Sequence, residues 1–399
     1  MSFSFGFTKD DFSDDDELEE SNTYIKPNHS SSSSTTTTTA VSNPKSALDS
    51  LIISSENKPK LHNLDSILST LQGIRISFDN YKTSQGNIIY RRELFDVKHQ
   101  LMTEEEETTE NSLINNLLID ENSNNNDLQK NVYEGGFKSW ECSYDTVDAL
   151  NKLIEQNGLF SSSPKNKSIL ELGCGTALPS CFILLKKLQS IKENHEQPGL
   201  TLVLSDFNYD VLRLVTVPNL LIHWASTLSI EQLYELTTTS TISGDKIDSR
   251  FVNDEILITS KLIEQFKNDL NNYNIQLKFI SGSWGNEFID LITKKNDMDI
   301  DIDVIISSET IYSPDTLPIV AESIKTIFQQ TNNKKLAIIA AKNIYFGVGG
   351  SLIEFLNYFN QIIKNNMNDQ DFTVSVEEIN DSQLKRSLVY IDYKRDYCI

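Results

Sequence analysis

From Tyr133 to the C-terminus the hydrophobic positions follow two alternating rhythms. Five short apolar runs, KSILELG (167–173), LTLVLSD (200–206), IQLKFISG (275–282), IDVIISS (302–308) and LAIIAAK (336–342), predict buried strands. Stretches with apolar residues three to four apart predict helices over 143–156, 177–188, 209–221, about 287–294, 315–329 and 351–363. Two last runs, DFTVSVEEI (371–379) and SLVYIDYKR (387–395), have no helical stretch between them and predict a hairpin. The expected fold is α/β: a Rossmann-like seven-stranded, mainly parallel sheet with an antiparallel C-terminal hairpin and helices on both faces.

Upstream, Leu64, Ile67, Leu68, Leu71 and Ile74 recur at helical spacing, and IRISFDNY and NIIYRRELFDVKHQLM read as strands. Residues 61–102 are therefore expected to be an ordered extension packed on a main domain of 132–399. Thr237–Lys261 shows no clear period and reads as an insertion. Residues 1–60 carry an acidic run and the homopolymers Ser30–Ser34 and Thr35–Thr39, and residues 103–131 are rich in Asn and acids. Both bury too little apolar surface to offset ordering entropy, so a mostly disordered tail and a mobile loop are expected.

Charge narrows the range of partners. The net charge is −22. Residues 9–20 and 103–131 each hold eight acids against one Lys, so they supply 14 of those charges and leave the remainder moderately acidic. That balance disfavours specific binding to nucleic acid and favours a basic protein partner. Four cysteines without a C-x-x-C pair and five scattered histidines give neither a disulfide framework nor a metal site. No run of about 18 apolar residues spans a membrane, and the N-terminus lacks the pattern of a signal peptide.

Candidate chemistry clusters at the strand ends. Ile169 to Ala177, ILELGCGTA, runs a strand through a glycine turn into a helix. Gly173 permits the turn and Gly175 permits close approach of a ligand. The third glycine of a dinucleotide fingerprint would fall on Leu178, so what remains is the E-x-G-x-G-x-(G/A) loop of methyltransferases, in which Glu171 is placed to receive the cofactor's amino group. The hairpin ending likewise separates a methyltransferase sheet from a dinucleotide-binding one. Asp206 of Ser205-Asp206-Phe207-Asn208 ends the next strand, 33 residues after Gly173, and can accept both ribose hydroxyls. Gly282-Ser283-Trp284 ends the following strand, where an aromatic can pack on adenine. Ser308-Glu309-Thr310-Ile311-Tyr312 ends the fourth, on the side of the methyl acceptor, and Asn343 opens a glycine-rich loop after the fifth. Lys138-Ser139-Trp140-Glu141-Cys142 opens the helix before the first strand, where a Trp-Glu pair can cover the methionine end of the cofactor.

Together GGFKSWECSYDTVDAL, ILELGCGTALPS, VLSDFN, SGSWG, SSETIY and AAKNIYFGVGG resemble the methyltransferase-like family that modifies non-histone proteins, with Glu309 and Tyr312 in its (D/E)-x-x-(Y/F) signature. MSFSFGFTKDDF, RRELFDVKHQLM and LKRSLVYID are most similar to its eukaryotic protein-histidine methyltransferase branch. The resemblance covers the first dozen residues and most of 61–399. It implies S-adenosylmethionine as cofactor, contacts at 138–142, 173, 206–208, 282–284 and 308, a histidine of a large-subunit ribosomal protein as substrate, and work in cytoplasm and nucleus; a monomer is expected. Glu309 or Asn343 would bind one imidazole nitrogen and so fix the tautomer, and Tyr312 would line the same pocket. A protein-lysine methyltransferase of the same superfamily and a non-catalytic chaperone of ribosomal proteins are the alternatives.

Overall fold

A computed structural model of the chain describes residues 46–107, 135–157, 166–193, 199–238, 254–295, 297–331, 333–364, 371–379 and 384–394. The tail up to residue 45 and residues 108–131 of the expected mobile loop lie outside these residues, and so do the resemblances of the first dozen; residues 103–107, expected in that loop, are helical instead.

The strands are β1 (Lys60–His62), β2 (Arg75–Lys82), β3 (Ile88–Arg92), β4 (Lys167–Leu172), β5 (Leu200–Asp206), β6 (Glu255–Leu257), β7 (Ile275–Ser281), β8 (Val304–Ser308), β9 (Lys335–Lys342), β10 (Phe372–Ile379) and β11 (Arg386–Tyr393). The main sheet has the order β1-β7-β5-β4-β8-β9-β11-β10. From β7 to β9 all pairings are parallel, while β11 runs antiparallel to both β9 and β10. The expected hairpin thus ends the sheet, with the last strand inserted beside β9. The sheet has eight strands rather than seven, because Lys60–His62 adds an antiparallel edge to β7.

The central strands are apolar on both faces because helices cover both. Ile169, Leu202, Leu204, Phe279, Val304, Ile306, Ile338 and Ala340 face one core. Leu170, Leu172, Val203, Ile280, Ile305, Ala337, Ile339 and Ala341 face the other. On edge strand β10, by contrast, Glu377 and Glu378 are exposed, which discourages further pairing.

The expected helices appear at Glu141–Asn157, Leu178–Lys192, Asn286–Thr293, Thr316–Phe328 and Leu352–Lys364. The predicted 209–221 helix runs from Tyr209 to Ala225 through a π-helical turn at Leu212–Thr216.

Three sequence expectations change. NIIYRRELFDVKHQLM is strand only as far as Arg92 and then forms the helix Leu94–Glu107, since Val97 and Leu101 pack on Val211, Leu214 and Val215 at helical spacing. The insertion contributes β6, which pairs with β2 of the extension in a small sheet β3-β2-β6, and it runs into the helix Ser260–Asn272. That helix is capped by Thr259 and buries Leu262, Phe266 and Leu270 at i, i+4, i+8, a pattern the sequence expectation left out. Last, the stretch from Ser46 to Lys60, assigned to the tail, is held against the main domain. Glu322 accepts from the Ala47 and Leu48 amides and from the Ser46 hydroxyl, and the Asn57 carbonyl accepts from the Ser283 amide at 2.8 Å.

Candidate active site

The C-terminal ends of β4, β5, β7, β8 and β9 meet the loop 135–140 and divide into two halves. One half surrounds the glycine turn. Gly173 has φ +63°, and a Cβ there would lie 2.6 Å from Thr310 Cγ2 and 3.3 Å from the Trp284 ring. Only glycine fits that backbone and that space. Trp284 in turn donates its indole N–H to Ser205 Oγ at 3.0 Å. The Gly175 amide donates to Asp206 Oδ2 at 2.9 Å, and the Asn208 amide donates to Oδ1 at 3.1 Å, so Asp206 is a buried carboxylate fixed by the turn it faces. What presses on Gly175 is the Gly136 carbonyl, 3.1 Å from a Cβ built there, so the loop 135–140 closes over the turn. Ser139 Oγ bonds Thr176 Oγ1 at 3.1 Å in the same contact.

Gly282 has φ +105°, and a Cβ on it would strike the backbone of Asn57 and Lys58. Its requirement for glycine therefore comes from the N-terminal strap. The Phe207 and Asp206 carbonyls both accept from its amide. Glu171 lies beneath the first turn of Leu178–Lys192, where its Oε2 accepts from the Ser180 amide and hydroxyl. Burial pushes its pKa up to about 8, with the Ser180 bonds opposing. Its carboxyl therefore faces its own helix N-terminus.

Two residues without an assigned role in the sequence brace this half. Thr216, in the π-helical turn, donates to the Gly175 carbonyl at 2.6 Å. Fully buried Asn219 accepts from the Arg92 amide of β3 at 2.7 Å and donates to the Thr176 carbonyl at 2.8 Å. A lone Asn within VPNLLIHWA was the available signal.

The other half is built around Glu309, which follows β8 with φ +58°. Its side chain is 6% exposed, and neither carboxylate oxygen has a hydrogen-bond partner among the described residues. Lys342 Nζ, at the end of β9, stands 3.7 Å away. The same ammonium lies 3.0 Å from Glu141 and 5.2 Å from the centroid of the Trp140 ring. The Cys142 thiol and the Tyr345 phenol flank Glu309 short of fully formed hydrogen bonds. Burial, then the Glu309 charge and the pull of its oxygens on their protons, push both well above their ordinary pKa values, so both stay protonated. Lys342 and Tyr345 had no assigned role in the sequence, although both lay inside a quoted motif.

The remaining candidates are placed less centrally. Ser308 bonds Thr146 at 2.9 Å, joining β8 to the helix that begins at Glu141. Asn343 Oδ1 accepts from Ser387 on β11, which ties that amide to the sheet. Tyr312 is half-buried, and its carbonyl accepts from the Gly350 amide. Lys138 is exposed at the rim.

Comparison with known proteins now adds a family. The chain is 40% identical over 401 residues to histidine protein methyltransferase 1 of Saccharomyces cerevisiae, covering 98% of each. It is 34% identical over 308 residues to the protein of the same name from Schizosaccharomyces pombe, covering 76% of this chain and 77% of that one. The chain belongs to the histidine protein methyltransferase family. It is accordingly an enzyme of protein-histidine methylation. No family model matches the chain. Among solved structures, a class I S-adenosylmethionine-dependent methyltransferase from Listeria monocytogenes is 12% identical, with a TM-score of 0.35, covering 77% of this chain and 70% of that one. The fold of this family member is read from its own strand order.

Proposed function

We propose that the protein transfers a methyl group from S-adenosylmethionine to one imidazole nitrogen of a histidine in a basic, large-subunit ribosomal protein, acting as a monomer in cytoplasm and nucleus. The observation that carries the acceptor chemistry is the buried carboxylate of Glu309, which keeps both oxygens unpaired beside a single ammonium. A group left so is costly unless a ligand satisfies it. A neutral imidazole offers one N–H donor and one lone pair, and it needs no deprotonation near pH 7.

The residues present fit the cofactor. Asp206 is a buried carboxylate at the end of β5, held by the Gly175 and Asn208 amides, in the position where a carboxylate accepts ribose hydroxyls, and Trp284 and the glycine turn form an apolar wall beside it. Bound there, the sulfonium supplies an electrophilic methyl group. The protein's own part is alignment and exclusion of water. Glu309 accepts the acceptor's N–H, which selects the tautomer and turns the other nitrogen's lone pair outward. As that nitrogen gains the methyl carbon the ring becomes an imidazolium, and the carboxylate stabilises its charge and holds the proton that must leave. Trp140 and Tyr345 close the sides of this position. Support for the ribosomal substrate is the resemblance together with the acidic balance of the chain, −22 overall, which attracts basic proteins.

The test is incubation with methyl-labelled S-adenosylmethionine and ribosomal proteins from cells lacking the enzyme, followed by acid hydrolysis. Methylhistidine in one large-subunit protein is expected. Label in methyllysine, or no label with the cofactor still bound, would overturn the proposal.

A further inference from the structure

We infer that Lys342 is a positioning residue for the methyl-acceptor half: anchored by Glu141 and the Trp140 ring, its ammonium holds the Glu309 carboxylate in place while leaving both its oxygens open for the substrate imidazole. The inference rests on the role proposed above for Glu309.

The geometry separates attraction from pairing. At 3.7 Å the ammonium is too far to donate a hydrogen bond to Glu309 but near enough to stabilise its charge in a poorly solvated site. What keeps it from closing is the second anchor. Glu141 holds Nζ at 3.0 Å from the first turn of the helix Glu141–Asn157, and the Trp140 ring lies under the ammonium at 5.2 Å. Glu309 is itself held back, since its φ of +58° and the bond from its amide to the Ala340 carbonyl at 2.9 Å fix the backbone that carries it. Burial works against the Lys342 charge, but Glu309 and Glu141 more than offset it, and its pKa lies above the ordinary lysine value.

The other titratable groups around Glu309 cannot replace this cation. Cys142, on the adjoining helix, and Tyr345, on the loop after β9, are neutral at physiological pH. Glu141 reaches Glu309 only through Lys342. Arg386 is committed to Asp145 by two bonds, at 2.6 and 3.1 Å. Without Lys342, Glu309 is a buried carboxylate with no cation beside it among the described residues, and nothing then holds it at the substrate position. An imidazole that does not meet its acceptor there is not fixed in the required tautomer.

The experiment compares full-length K342M, K342Q and K342R with the native enzyme, measuring kcat and KM for methyl transfer to the protein substrate, and cofactor affinity by calorimetry. For K342M we expect kcat at pH 7 to fall about 10- to 100-fold, with the loss in kcat larger than any change in KM. K342R should restore most of the rate, and cofactor affinity should stay within about twofold. K342Q, the smaller neutral change, provides the same reading if K342M folds poorly. A native kcat in K342M, a loss confined to KM or to cofactor affinity, or equal loss in K342R and K342M would overturn the inference. E309Q separates this from the underlying reading. If E309Q keeps the native rate, the role of Glu309 itself falls. If E309Q is inactive while K342M keeps the native kcat, only the role of Lys342 falls.

Discussion

Asp206 and Glu309 are both carboxylates at the C-terminal end of a central strand, and the fold treats them differently. Asp206 ends β5 and accepts from two backbone amides, at 2.9 and 3.1 Å. Glu309 follows β8, accepts no hydrogen bond among the described residues, and sits on backbone with φ +58°. Asp206 is part of what makes the glycine turn rigid, so it contributes to folding. Glu309 contributes nothing comparable to the fold. Strain and an unsatisfied charge in the same residue are expected where structure has been given up for function.

Glu309→Gln tests this difference most directly. The amide keeps the shape, removes the charge, and can present N–H where an acceptor is needed. A fall in kcat of about 10²- to 10⁴-fold is expected, with unchanged cofactor affinity. Because the lost charge was buried, resistance to urea should rise, by about 1 kcal/mol. An E309Q protein that is both less active and less stable would show that Glu309 belongs to the fold as Asp206 does.

Gly173→Ala is the complementary change on the cofactor side. Its Cβ falls 2.6 Å from Thr310 Cγ2, on backbone that L-residues adopt at a cost of about 1–2 kcal/mol, so the turn must shift. Calorimetry should find cofactor affinity reduced about 100-fold or more, with the rate at saturating cofactor recovering most of its native value. A variant with native affinity would mean that the turn does not shape the cofactor position.

Acid provides a third contrast, because the cofactor half depends on a neutral imidazole. His223 Nδ1 donates to the Asn219 carbonyl at 2.7 Å, and Nε2 accepts from the Tyr90 amide at 3.2 Å. Burial, opposed by the bond to Asn219, lowers its pKa to about 4. The folded state thus binds this proton less readily than the unfolded chain, whose histidine titrates near 6.5. Its contribution is complete above pH 6.5 and drains away as pH falls towards 4, where roughly 3 kcal/mol is gone. Urea melts at pH 7 and pH 4.5 should show this loss, and His223→Gln should flatten it. An equally steep acid loss in H223Q would assign it elsewhere.

Much of this arrangement was legible in advance, for a physical reason. The strands of the main sheet are buried on both faces, so their apolar runs and glycine turns stand out, and Gly173, Asp206 and Glu309 were located by following strand ends. What stayed hidden depends on contacts distant in sequence. Residues 60–62 carry no strand pattern, and they pair only because β7 offers an edge. The helix after Arg92 hid inside a run rich in strand-forming residues, because Val97 and Leu101 find their partners on Val211, Leu214 and Val215. That Gly282 is crowded by the backbone of Asn57 and Lys58 was equally out of sight. Lys342 and Tyr345 were visible as letters of a motif, but their bearing on Glu309 needs β8 and β9 side by side.

Asn219 gives the finest test of how the cofactor half is made rigid. One buried amide accepts from the Arg92 amide of the extension and donates to the Thr176 carbonyl of the glycine turn. The extension therefore braces the turn through a single side chain. Asn219→Leu fills similar volume but leaves the Arg92 N–H and the Thr176 C=O buried without their partner, at a cost of about 1–3 kcal/mol. Part of that loss should reach the site, weakening cofactor affinity by about tenfold or less while kcat at saturating cofactor stays native. The acceptor half, which does not contact Asn219, should keep its KM for the protein substrate. If N219L lost kcat and not cofactor affinity, the two halves would be one coupled unit, and the difference between Asp206 and Glu309 would not mark a boundary within the site.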